Sequence, residues 1–193
     1  MVVGECNTGK TSLINRLLGE PLLETAVIPN TTAFTLVAFA GRRGAAVGAC
    51  GGERAPSTDH RTRAPVAQPV RRVQIGLPLE PLQSLQLLDT PGLAAGNEER
   101  DRQIRRACHR ADLIVWCTLA MQAWKASERD AWLAFPTRLR ARGILAITFA
   151  DTIASLSDRA SLMARLAAEA GAYFRHIAMA PAHTEGAAGR QEF

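Results

Sequence analysis

Lysine is almost absent from this 193-residue chain: apart from Lys10 and Lys125, all of its 23 basic side chains are arginine. The net charge of +5 gathers in the stretch from Arg42 to Arg72, where no aromatic residue is interleaved. Such a run reads as a solvated loop, which leaves anionic lipid open and disfavours nucleic acid as a partner. Cysteine is sparse too. Cys6, Cys50, Cys108 and Cys117 form no C-x-x-C pair, which excludes a signalled zinc site and a disulfide framework. His60, His109, His176 and His183 lack metal-ligand spacing. Long apolar runs are missing: Leu113 to Cys117 is far too short to span a bilayer. No signal peptide opens the sequence, so the expected compartment is a reducing cytosol, with any membrane contact peripheral or supplied by another segment.

What is present is a chain of one-domain length, 47% hydrophobic, with strand and helix patterns in alternation. Met1-Val2-Val3 is the tail of a strand that looks clipped. Thr11 to Leu18 reads as a helix with Leu13, Ile14, Leu17 and Leu18 on one face. Thr35 to Ala40, Val73 to Leu77, Leu85 to Leu88, Leu113 to Cys117, Ile144 to Thr148 and Phe174 to Ala178 read as strands. Glu98 to Arg110 and Ser127 to Phe135 read as helices, and Ser157 as the cap of another running to about Ala170. Residues 41–72 read as an Arg/Gly/Pro-rich loop or insertion. The expectation is an α/β fold with three layers: a mainly parallel sheet covered by helices on both faces. Residues 1–193 are expected to form a single domain. Trp116, Trp124 and Trp132 fall eight residues apart and read as packing aromatics rather than an effector face.

Chemistry enters at Gly4-Glu5-Cys6-Asn7-Thr8-Gly9-Lys10-Thr11, which fits G-x-x-x-x-G-K-[ST] in full. Glycines let backbone N–H groups turn inward around phosphates, and the following helix aims its N-terminus at the same anion. The loop with Ser12 is therefore a candidate phosphate cradle, with Lys10 reaching the β- and γ-phosphates and Thr11 ligating Mg²⁺. Downstream, Leu85 to Leu88 leads into Asp89-Thr90-Pro91-Gly92, a D-x-x-G pattern. A carboxylate at a strand's C-terminal end lies beside the phosphate loop in such sheets. Asp89 is the candidate second metal arm, and the Gly92 N–H a sensor of the γ-phosphate. Between the two motifs, Pro29-Asn30-Thr31-Thr32-Ala33-Phe34-Thr35 offers a threonine that can close over Mg²⁺.

These segments resemble the translation-factor-related branch of P-loop GTPases, and within it the dynamin-like proteins. Residues 4–15 are similar to the opening of bacterial dynamin-like members. Pro29-x-Thr31 with Thr35 matches their first switch, so the resemblance assigns Thr31 as metal ligand and catalytic residue. Ile75-Gly76-Leu77-Pro78, the segment Leu87 to Leu93, and Ser127-Glu128 after Trp116-Cys117 also fit. The resemblance implies GTP and GDP as ligands. The base-recognition element corresponds to Thr148-Phe149-Ala150-Asp151, with Asp151 reading the guanine edge and Phe149 in place of the usual lysine. The last loop corresponds to Met179-Ala180, with the Ala180 N–H facing the guanine oxygen. Leu93 stands where related enzymes carry a water-orienting glutamine. Asn7 resembles a loop asparagine that helps hold K⁺ in place of an arginine finger, in enzymes that dimerise across the nucleotide.

Three readings follow. The first is a GTPase, slow unless a dimer partner, a cation or an activator completes the site. The second is a pseudo-GTPase acting through its surface, favoured by the short first strand and Phe149. The third, a P-loop ATPase or kinase, is disfavoured by Asp151 and the Asp-Thr-Pro-Gly segment. Other partners left open are an effector protein and a peripheral membrane.

Overall fold

The computed structural model describes residues 1–23, 33–49, 71–94 and 96–181. The chain divides into two compact units, residues 1–30 with 89–193, and residues 31–88.

The first unit is built on parallel strands. Strand β1 (Val2–Val3) lies between the end of β5 (Leu87–Asp89) and β6 (Val115–Leu119), with Val2 opposite both Asp89 and Val115. β6 continues to β7 (Ile144–Thr148), and β7 to β8 (His176–Ala180). Parallel neighbours need crossover connections. Helices supply them: α2 (Glu98–Cys108) before β6, α3 (Ala126–Leu133) and the short α4 (Thr137–Arg140) before β7, and α5 (Leu156–Ala170) before β8. Helix α1 (Lys10–Leu18) follows β1 directly across the phosphate loop. The strands are Val/Ile/Leu-rich because both faces are covered: Val3, Trp116, Cys117, Leu145 and Ile147 are fully buried. Although only two residues long, β1 is as buried as its neighbours.

The tryptophans do pack inside. Trp132 stacks on Phe174 at a 4.4 Å centroid distance and meets Trp116 edge-on at 5.8 Å. Gly143 is small because a Cβ there would stand 2.4 Å from the Trp132 ring.

The second unit is a three-stranded arrangement. β4 (Arg71–Leu77) is the middle strand, parallel to β2 (Phe34–Phe39) and antiparallel to β3 (Gly44–Ala49). Strand β3 departs from the loop expected over 41–72. Its Gly-Ala-Ala-Val-Gly-Ala sequence has weak strand propensity, and pairing with β4 imposes the extended backbone. The remainder of that expected loop, residues 50–70, lies outside the described residues.

Several boundaries shift. The strand expected at Leu85 begins at Leu87, after an exposed Leu85. The strand expected from Leu113 runs two residues later, as does the last strand, which begins at His176 because Phe174 is used as a core plug. The cap of α5 is Ser155 rather than Ser157: its hydroxyl accepts the Asp158 N–H at 3.3 Å. Serine followed by an acidic residue three positions on is the capping signal that decides between them. Among the described residues no helix is long and apolar enough to cross a membrane.

Candidate nucleotide-binding site

The loop between β1 and α1 turns by means of two left-handed residues, Asn7 at φ 60° and Gly9 at φ 71°. Asparagine is among the few side chains that tolerate this region. Gly9 has no alternative, since a Cβ would also stand 2.8 Å from the Phe149 ring. The Glu5 carbonyl accepts the Thr8 hydroxyl at 2.9 Å and the Lys10 ammonium at 2.6 Å. Lys10 is 6% exposed, and burial lowers its pKa against the raising pull of the nearby Asp89 and Glu5 carboxylates. From β7, the Thr148 hydroxyl lies 2.9 Å from the Thr8 carbonyl and 3.0 Å from that of Thr118, and shares its one proton between them. The loop is thus tied to β7, and β7 to β6.

The Thr11 hydroxyl donates to Asp89 Oδ2 at 2.8 Å. Asp89 is 1% exposed, and its other oxygen, Oδ1, is buried with no hydrogen-bond partner. Burial pushes this carboxyl up, opposed by the Thr11 hydrogen bond and the Lys10 charge. A buried, unpartnered carboxylate oxygen is expensive to leave unsatisfied. A hydroxyl and a carboxylate are hard oxygen donors of the kind Mg²⁺ takes beside phosphates, so the residues fit that ion. Thr31 lies outside the described residues.

After Asp89 the chain folds back onto the phosphate loop. Thr90 donates to the Val2 carbonyl at 2.8 Å. A Cβ on Gly92 would stand 2.6 Å from Cys6 Cα, so only glycine passes there. Leu93 N–H donates to the Gly4 carbonyl at 3.0 Å, and Cys6 N–H donates to the Leu93 carbonyl at 3.2 Å. The Leu93 side chain is 5% exposed.

At the end of β7, Phe149 adopts φ 54°, and Asp151 sits exposed on a 3-10 turn over Ala150–Thr152. Ala180 ends β8 opposite Thr148. On the other flank of the loop, both Glu5 carboxylate oxygens are taken: Lys125 Nζ lies 2.5 Å from Oε2, and Ser127 donates to Oε1 at 2.7 Å. Behind them Glu128, 1% exposed, accepts from Thr118 at 2.8 Å, from the Lys125 backbone N–H at 3.0 Å and from Trp116 Nε1 at 3.4 Å. Burial raises the Glu128 pKa, against these hydrogen bonds.

Comparison with known families matches residues 1–136 to the family described as 50S ribosome-binding GTPase. The chain belongs to this GTPase family. As a GTP-binding GTPase domain it is 30% identical over 138 residues to Dynamin-like protein 2 of Campylobacter jejuni, covering 67% of this chain and 22% of that protein. It is 27% identical over 128 residues to a probable transmembrane FZO-like chloroplastic GTPase of Arabidopsis thaliana, covering 66% and 12%. The chain therefore spans about a fifth of the first relative's length and about an eighth of the second's. Among solved structures, one chain of an oligomerised bacterial dynamin pair superposes with TM-score 0.63 at 23% identity, over 93% of this chain and 29% of that one. An Aquifex aeolicus Era variant bound to GDP and AlF₄⁻ superposes with TM-score 0.59 at 17% identity, over 94% and 50%. These likenesses carry the P-loop α/β fold, and the relatives' names carry the dynamin-like resemblance.

In this GTPase the expected loop residues Gly4 to Ser12, together with Asp89, Gly92 and Thr148, come together within one unit. Asp151 and Ala180 lie at the ends of adjoining segments of the same unit. The motif reading missed Lys125 and Ser127 as neighbours of the loop and Glu128 as their support. A signal existed: Lys125 is the only lysine besides Lys10 in an arginine-dominated chain.

Proposed function

We propose that this domain binds GTP and GDP with Mg²⁺ through Gly4 to Ser12, and hydrolyses GTP slowly unless a further group completes the site. The observation that carries the reading is the buried Thr11–Asp89 pair with its unpartnered oxygen beside Lys10. When bound, Mg²⁺ neutralises phosphate charge, and Thr11, Asp89 and Thr31 are the residues to hold it. Lys10 would turn from the Glu5 carbonyl towards the β- and γ-phosphates, while the loop N–H groups and the start of α1 face the same charge. Asp151 would accept hydrogen bonds from the guanine edge, with the Ala180 N–H on the guanine oxygen. Phe149, held against Gly9, offers a ring where the family has a lysine stem.

Hydrolysis has a gap. Leu93 has no group to orient water, and its side chain is buried. Asn7, exposed at the loop rim, is the residue we assign to a K⁺ ion ordered by a homodimer across the nucleotide. The cytosol is the proposed compartment. A peripheral membrane contact follows the dynamin-like relatives, one named as transmembrane and one structure described as tethering membranes. The same Leu93 and Phe149 support a second reading, a nucleotide-binding module that does not turn over.

Titration with a fluorescent GDP analogue, with and without Mg²⁺, tests binding, and Lys10→Ala should abolish it. Turnover in K⁺ against Na⁺ at equal ionic strength, over a range of protein concentration, separates the two readings. Rates higher in K⁺, rising with concentration and lost in Asn7→Ala support the assisted GTPase. No turnover under any condition supports the binding module.

A further inference from the structure

A glutamate at the second position of an anion-binding loop is electrostatically misplaced, since the loop and the start of α1 exist to receive negative charge. Glu5 is nevertheless charged near neutrality. Burial pushes its carboxyl up, but the hydrogen bonds from Lys125 and Ser127 and the charges of Lys125 and Lys10 outweigh that and hold it below its ordinary value. Both of its oxygens are bonded away from the loop interior, to residues at the start of α3. The same residue's backbone carbonyl is the acceptor for Lys10 and Thr8. Glu5 thus holds Lys10 on its backbone carbonyl only until the phosphates arrive, whereas its side chain is anchored outside the loop.

We propose that Lys125 and Ser127 are positioning residues for nucleotide binding, which hold the Glu5 carboxylate aside from the phosphates. This rests on nucleotide binding at the Gly4–Ser12 loop. The anchor is itself fixed: Glu128 takes the Lys125 backbone N–H and the Thr118 hydroxyl, so the lysine's own main chain cannot drift from the loop. Stability is not what the pair supplies. The Lys125 side chain is 42% exposed and that of Glu5 23%, and ion pairs this open add little to stability. The gain is electrostatic and local: without Lys125, a full negative charge is released within reach of a polyphosphate.

The test is a double-mutant cycle on affinity for a fluorescent GDP analogue with Mg²⁺ at low salt, with nucleotide-free thermal midpoints alongside. Lys125→Ala should weaken binding about ten-fold, Lys125→Arg should retain most of the affinity, and Ser127→Ala should move it the same way by less. The midpoint should be unchanged. In a Glu5→Gln background, Lys125→Ala should have no further effect, because the charge it controls is gone. A deficit that persists in that background would mean that Lys125 touches phosphate itself, and would overturn the proposal. So would a midpoint that falls in step with affinity, or an unchanged affinity in Lys125→Ala while the wild type binds. Failure of the wild type to bind any guanine nucleotide would instead remove the reading beneath it.

Discussion

The Thr148 hydroxyl reaches across 140 residues of sequence to the Thr8 carbonyl, joining the end of β7 to the phosphate loop. Thr148→Val keeps the shape and removes the donor. It leaves buried carbonyls on Thr8 and Thr118 with one partner fewer, which costs about 1–3 kcal/mol. The thermal midpoint should fall by about 2–4 °C for each kcal/mol in a chain of this size. Nucleotide affinity should fall as well if Thr148 belongs to the site proposed above, because the donor holds the phosphate loop to β7. Calorimetry and titration on the same preparation check the two effects.

Asp89→Asn should separate metal binding from folding. The carboxylate is buried with one oxygen unpartnered, so removing its charge removes a desolvation cost. Without Mg²⁺ and nucleotide, the variant should melt at or above the wild-type temperature. The tightening of nucleotide binding by Mg²⁺ should disappear. A variant that melts lower and still responds to Mg²⁺ would contradict both.

Asp151→Asn should invert the hydrogen-bond polarity offered to the base. Losing a charged acceptor costs about 1.5–3 kcal/mol, so GTP affinity should fall by roughly ten- to a hundred-fold. Xanthosine triphosphate should become the better ligand. Competition between the two triphosphates is the measurement, and equal preference for ATP and GTP in the wild type would count against guanine readout.

Glu128 gives a pH prediction with a definite sign. Its folded pKa is raised above the ordinary value, chiefly by burial. The native state thus holds the proton to a higher pH than the unfolded chain. Its contribution to stability is greatest in acid and declines as pH rises from about 4.5 through the folded pKa. Denaturant unfolding at several pH values should show the wild type losing stability relative to Glu128→Gln across that window. Parallel curves would show that the carboxyl does not titrate there.

The fold and the site were legible to different degrees. Strand β7 matches its expected bounds, Ile144 to Thr148, because a β-branched and apolar run set off by Arg142-Gly143 admits few alternatives. The closeness of the Gly4–Ser12 loop and Asp89 was legible because the motifs that contain them fix residue types at fixed spacing. Strand β3 was not, since glycine and alanine carry no strand pattern and the instruction lies in β4, its partner. Lys125 stands out as the one lysine besides Lys10, but its place beside the loop does not, since an ion pair with Glu5 across 120 residues leaves no local trace. Leu93 could be read as a missing glutamine, but not as a residue whose N–H and carbonyl both bond the phosphate loop.

The central place of β4 in the second unit also bears on how that unit is made. Phe34 pairs with Arg72 and Ala49 with Arg71, so neither β2 nor β3 has its partner until the segment 71–77 has been synthesised. Contacts at such sequence separation must bear their loop-closure entropy before pairing rewards them, which slows assembly. Until β4 arrives, the edges of Phe34–Phe39 stay unpaired in the nascent chain. Because β2 and β3 both pair through β4, substitutions that weaken β4 should slow folding more than they speed unfolding, which stopped-flow refolding and unfolding rates check.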